Sequence, residues 1–159
     1  MKLELLLFSC LLFIETATPW SLCPRGLYSY GRQCYKIMHV DSTWSEAKVL
    51  CESIDANLVE INDPMKEHFL FTTILQKDSR NAERPMWIGA SDMLTENSWV
   101  WVKSKRHMTF RNWKMRLVDA LREGHGHCLA LQTLPQFEWK EIKCSERHGF
   151  ICEFDPMPY

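Results

Sequence analysis

Hydrophobic and polar positions change over in short blocks along this chain, most densely in residues 85–102. There Met86-Trp87-Ile88-Gly89-Ala90 forms an apolar run, a polar break follows, and Trp99-Val100-Trp101-Val102 completes the stretch. The first run suits a strand buried on both faces, although periodicity alone also allows a short buried helical segment. Gly89 would let another backbone approach closely. In the second run Trp99 and Trp101 share one strand face, and Val100 and Val102 share the other. Residues 91–98 are rich in turn formers, so two strands joined by a polar loop are expected at the centre of a sheet.

The pattern on either side predicts smaller elements. Leu27-Tyr28-Ser29-Tyr30, the pair Gly31-Arg32, and Gln33-Cys34-Tyr35-Lys36-Ile37 read as strand, two-residue turn and strand. Thr43-Trp44-Ser45-Glu46 has the form of a capping box, and Trp44, Ala47, Cys51 and Ile54 recur at helical spacing behind it. Residues 57–61 read as a short extended piece. Asp63 then caps a second helix with Pro64 at its first position, running over residues 65–76 with Met65, Phe69, Leu70, Ile74 and Leu75 toward the core. Residues 77–84 are polar. The basic residues 103–107 read most simply as a solvated turn, with a dedicated anion site as the alternative. The segment between Trp113 and Cys128 is long and irregular. Three short strands follow, over residues 129–132, 137–142 and 150–154.

Length and composition add a compartment. One domain's worth of chain, 159 residues, carries 46% hydrophobic and 12% aromatic residues, enough for a globular core. Trp44, Trp87 and Trp101 are expected inside it. Lys2 followed by an apolar run to Ile14 and small residues at Thr16-Ala17-Thr18 outlines a secretory signal peptide over residues 1–18, with residues 19–159 as a single domain. Without that leader, basic and acidic side chains balance at 18 each. Nothing in this balance favours nucleic acid or an anionic membrane, and no other apolar run is long enough for membrane insertion. Cys23, Cys34, Cys51, Cys128, Cys144 and Cys152 remain, an even count that fits disulfides in an oxidising compartment. Their connectivity stays open at this point, and no Cys-x-x-Cys spacing supports a structural zinc site.

Taken together, Cys23, Cys34-Tyr35, Trp44-Ser45-Glu46-Ala47, Cys51, Leu58-Val59, Trp87-Ile88-Gly89, Trp99-Val100-Trp101, Asn112-Trp113, Cys128, Trp139, Cys144 and Phe150-Ile151-Cys152-Glu153 resemble the C-type lectin-like domain, over a core of residues 23–154. The layout is similar to that of short secreted, perlucin-like lectins. The resemblance implies an α+β fold in which two helices flank small antiparallel sheets beside a long irregular loop. It also implies the pairs Cys23–Cys34, Cys51–Cys152 and Cys128–Cys144.

In sugar-binding members of that family a calcium ion in the long loop ligates sugar hydroxyls, held by a Glu-Pro-Asn or Gln-Pro-Asp triplet, an acidic residue before a core cysteine and a Trp-Asn-Asp triplet. This chain departs at each place, with Leu117-Val118-Asp119, with Gly126-His127, and with Lys140-Glu141 after Trp139. Calcium takes six to eight oxygen ligands. At about 4 Å and an effective dielectric near 20, a lysine ammonium repels it by roughly 8 kcal/mol, against about 4 kcal/mol for a whole millimolar site. No calcium at the sugar site, and no cofactor, is therefore expected.

Carbohydrate binding without calcium would fall to Trp113, Asp119, Glu123, His125, His127, Lys140 and Glu141 on the long-loop face, unless these are ordinary solvated loop residues. His125 and His127 alternate along the chain and could hold zinc or copper as a pair, with Glu123 or Asp119 as third ligand. The leading expectation is a secreted, extracellular lectin-like recognition protein of defence or matrix, whose partner is a glycan or an extracellular protein. The alternative is a protein-, mineral- or matrix-binding module on the same face. An enzyme is not expected: His-Glu-x-x-His, Gly-x-Ser-x-Gly and phosphate-cradling glycine loops are absent from the sequence, and disulfide-bonded cysteines are not nucleophiles.

Overall fold

A computed structural model of the chain describes residues 23–75, 84–112, 126–132 and 138–155, with the side chains of residues 73–75 excepted. The signal-peptide segment lies outside these residues. Strand β1 (Tyr28–Tyr30) turns through Gly31-Arg32 into the long strand β2 (Gln33–Ser42). Helix α1 (Trp44–Glu52) starts where the capping box predicts: Thr43 accepts from the Glu46 amide and the Glu46 carboxylate accepts from the Thr43 amide. Trp44, Ala47 and Cys51 are buried, but the helix ends before Ile54, which is 37% exposed. Strand β3 (Ala56–Leu58) leads to helix α2 (Pro64–Phe69), capped by Asp63, which accepts from the Lys66 amide. The remaining strands are β4 (Met86–Ser91), β5 (Val100–Trp101), β6 (Cys128–Gln132), β7 (Glu138–Ile142) and β8 (His148–Phe154).

The second helix differs from its expected form. It is α-helical only to Phe69 and widens into a π-helical turn over Leu70–Leu75. Met65 is 65% exposed, whereas Lys66 and Glu67 are buried beside Leu70. The cause is polar: Lys66 Nζ reaches 2.8 Å from Glu153 Oε2 on β8, and that carboxylate also accepts from the Glu60 amide. Lys66 further lies over the Tyr35 ring, 5.4 Å from its centroid. Burial, with Glu153 close by, pushes the Tyr35 phenol far above its ordinary range. Satisfied in this way, a lysine can occupy the helix's inner face, where an apolar count places Met65 instead.

All strands join one sheet along the path β1-β2-β8-β4-β6-β7, with β3 on β8 and β5 on β4. The expected small antiparallel sheets are thus linked. Most pairings are antiparallel, but β4 and β8 run parallel through Met86↔Gly149 and Trp87↔Phe150. Strand β4 is buried along its whole length because both faces of the sheet are covered. One core gathers Tyr35, Val59, Ile61, Leu70, Ile88, Trp101, Leu129 and Trp139; the other gathers Trp44, Cys51, Leu58, Trp87, Ala130 and Phe150. Trp44, Trp87 and Trp101 are each at most 2% exposed. The indoles of Trp44 and Trp87 donate to the carbonyls of Ile88 and Ser42.

Gly89 permits the crossing at the centre. Its amide donates to Val59 O at 2.9 Å and its carbonyl accepts from Val102, and a Cβ there would lie 2.7 Å from Leu58 O. Disulfides join Cys23 to Cys34, Cys51 to Cys152 and Cys128 to Cys144. The second ties α1 to β8, and the third closes the chain around β6 and β7.

Candidate functional site

The long-loop face is framed by the ends of β4, β6 and β7. Of the residues expected to act there, Trp113, Asp119, Glu123 and His125 lie outside the described residues. His127, Lys140 and Glu141 are described. Strand alternation on β7 sends Glu141 with Trp139 to one face of the sheet and Lys140 with Glu138 to the other. Lys140 Nζ stands 3.4 Å from Glu138 Oε1 on its own strand.

Trp139 anchors the base of this face. It is 2% exposed and meets Trp101 and Phe110 edge to face, at centroid distances of 6.0 and 5.6 Å. Its amide donates to Asn112 O, and the Asn112 side-chain amide donates to Glu67 Oε1 at 2.7 Å. Glu67 therefore reaches from α2 to the point where the chain enters residues 113–125. Burial raises its carboxyl above the ordinary value, against the opposing hydrogen bonds from Asn112 and Trp139.

Two of the positions where sugar-binding members carry calcium ligands, Gly126 and Lys140, supply no side-chain oxygen. Gly126 packs on β7: a Cβ there would fall 1.9 Å from the Ile142 carbonyl carbon. A carboxylate side chain cannot be built at that position without moving the strand. Lys140 offers only ammonium donors. Glu141 keeps a carboxylate at the end of the family's triplet position, while Gly126 and Lys140 bring no side-chain oxygen at theirs.

A different cluster forms beside it. Asp92 follows β4, Glu96 sits in the turn after it, and His127 immediately precedes β6. The Asp92 amide donates to His127 O at 3.2 Å, fixing the two segments side by side. His127 Nδ1 lies 3.0 Å from Asp92 Oδ1 and 3.4 Å from Glu96 Oε2. The Asp92 side chain is 3% exposed, and its Oδ2 accepts from the Asn97 amide at 2.8 Å. Sequence reasoning paired His127 with Glu123 or Asp119 because those are near in the chain. Asp92 and Glu96 read only as members of a polar turn, and no sequence signal links them to a histidine more than thirty residues later.

Comparison with known proteins bears on what this face is for. The lectin C-type domain matches residues 40–154. Perlucin of Haliotis laevigata is 30% identical over 140 residues, covering 86% of each chain. Among solved structures, human lithostathine is 25% identical with a TM-score of 0.73, over 89% of this chain and 97% of that one. The carbohydrate-recognition domain of the human scavenger receptor C-type lectin is 27% identical with a TM-score of 0.70, over 84% of this chain and 98% of that one. With the family's cysteine pairs, sheet and helices all in place, this chain belongs to the C-type lectin domain family.

Proposed function

We propose that this chain is a secreted recognition module that binds glycan on its long-loop face without calcium at the sugar position, and that it catalyses no reaction. The observation that carries the reading is Gly126, whose packing against Ile142 leaves no room for a carboxylate at a family ligand position; Lys140 adds a cation where an oxygen donor is needed. Support for sugar as the ligand comes from the human scavenger receptor relative, whose matched part is a carbohydrate-recognition domain. The apolar leader and three disulfides support secretion. Among the described residues no helix is long and apolar enough to cross a membrane.

A glycan array probed with the full chain in calcium and in calcium-free buffer tests this. Equal binding to the same glycans in both buffers is the expected result. Signal that vanishes without calcium would refute calcium independence. Silence on every glycan, with saturable binding to a purified matrix protein or mineral surface, would replace the sugar reading by the alternative one.

A further inference from the structure

We propose that the recess between α1, β3 and the turn after β5 binds a sulfate group of an extracellular polysaccharide, through Lys48, Lys103 and Lys105. The recess has a volume of about 190 Å³, and its polar lining is these three lysines with Glu52 and Asn57. None of the residues expected on the long-loop face lines it. The chain as a whole is close to neutral, with a formal charge of -1. It therefore offers a polyanion no general attraction, and binding must come from a local cluster of cations.

The turn that carries two of the lysines is held by its backbone. The Ser104 amide donates to Glu60 Oε1 at 2.7 Å, the Lys105 amide to Trp101 O at 2.9 Å, and the Trp101 amide to Arg106 O at 2.9 Å. Glu60 is buried, so the tether is anchored in the core. Lys105 has a φ of 60°, in the left-handed region where glycine sits without strain. The strain thus comes with a charge that glycine would lack, which directs attention to what that charge does. Lys105 is exposed and has no ion pair among the described residues.

The other two lysines are paired but not used up. Lys48 Nζ meets Glu52 Oε1 at 2.6 Å, and Lys103 Nζ meets Asp155 Oδ1. An ammonium has three N–H donors and one carboxylate oxygen takes one of them, so both keep donors for a further oxygen. With Lys105, the cations outnumber Glu52 and Asp155. Compact ammonium groups act as point charges and suit a tetrahedral oxyanion, whereas a planar carboxylate is matched best by an arginine fork. Asn57 adds an amide donor on the β3 wall. Sulfate esters stay ionised at neutral pH and repeat along a polysaccharide, so one can enter the recess while its neighbours lie along the basic turn, where Arg106 is also exposed. This site shares only its extracellular setting with the long-loop reading.

Isothermal titration of the full chain with a size-defined heparin oligosaccharide, against the same oligosaccharide stripped of sulfate, is the test. We expect saturable binding of the sulfated form only, weakening as sodium chloride is raised. Lys105→Gly keeps the left-handed backbone and removes the charge, so it stays folded; it should weaken binding by about fivefold or more, and Lys48→Ala/Lys105→Gly by more still. Both variants should leave the binding of neutral glycans on the array unchanged, which separates failure here from failure of the long-loop reading. Equal affinity for the desulfated oligosaccharide, parent affinity in the double variant, or a preference for inorganic phosphate or for phosphatidylserine vesicles over the sulfated oligosaccharide would overturn the site.

Discussion

Replacing Lys66 with methionine removes one half of an ion pair whose side chains are only 7% and 3% exposed. At their 2.8 Å separation and an effective dielectric near 20, the Coulomb attraction is about 6 kcal/mol. Desolvating each ion costs several kcal/mol, so the intact pair adds little net stability. The single substitution is different in kind, because it strands the Glu153 carboxylate among Tyr35, the Glu60 amide and the core. It should destabilise the protein by about 3 to 5 kcal/mol. Glu153→Gln keeps an oxygen for the Glu60 amide, and the double variant Lys66→Met/Glu153→Gln removes both charges of the pair together. That double variant should recover to within about 1.5 kcal/mol of the parent, well short of the sum of the two single losses. Denaturant unfolding with disulfides intact, followed by the fluorescence of the buried tryptophans, measures all four proteins. A Lys66→Met loss below about 1 kcal/mol, or additive single losses in the double variant, would refute the account.

Gly126→Ala should lower the melting temperature markedly, with a cost of about 3 kcal/mol or more because the new methyl meets β7 backbone rather than a movable side chain; differential scanning calorimetry reads it. Cys51→Ser/Cys152→Ser opens a loop spanning 101 positions and should cost about 4 to 5 kcal/mol, against about 3 for the Cys23/Cys34 pair spanning 11; denaturant midpoints rank the two. Glu67 has its carboxyl raised above 4.5 in the folded state, so the native state binds this proton more tightly than the unfolded chain. The contribution is therefore fully present below about pH 4.5 and is lost as pH rises through the higher folded value. Glu67→Gln keeps an acceptor for Asn112 and should be more stable than the parent at pH 7, with the advantage disappearing toward pH 4; unfolding curves at the two pH values check the sign.

Local rules made much of this protein legible in its order of residues. The capping box at Thr43 and Glu46, the Asp63-Pro64 helix start and the two-residue hairpin turn all depend on neighbours within a few positions, and each appears in the structure; Gly89 was legible as a place of close approach, but its partners Leu58 and Val59 are distant in the chain. The even count of six cysteines pointed to disulfides, and resemblance supplied their pairing. Tertiary structure alone decided the rest. Lys66 turns inward because Glu153, distant in the chain, offers it a buried partner; helical periodicity sees only one of the two. The parallel contact of β4 with β8 joins pieces that sequence reading left as separate sheets. His127 meets Asp92 and Glu96 through the pairing of Ser91 with Cys128. Charge and hydropathy are properties of a residue and its neighbours, whereas a site assembled across a sheet depends on register, which only the folded chain sets.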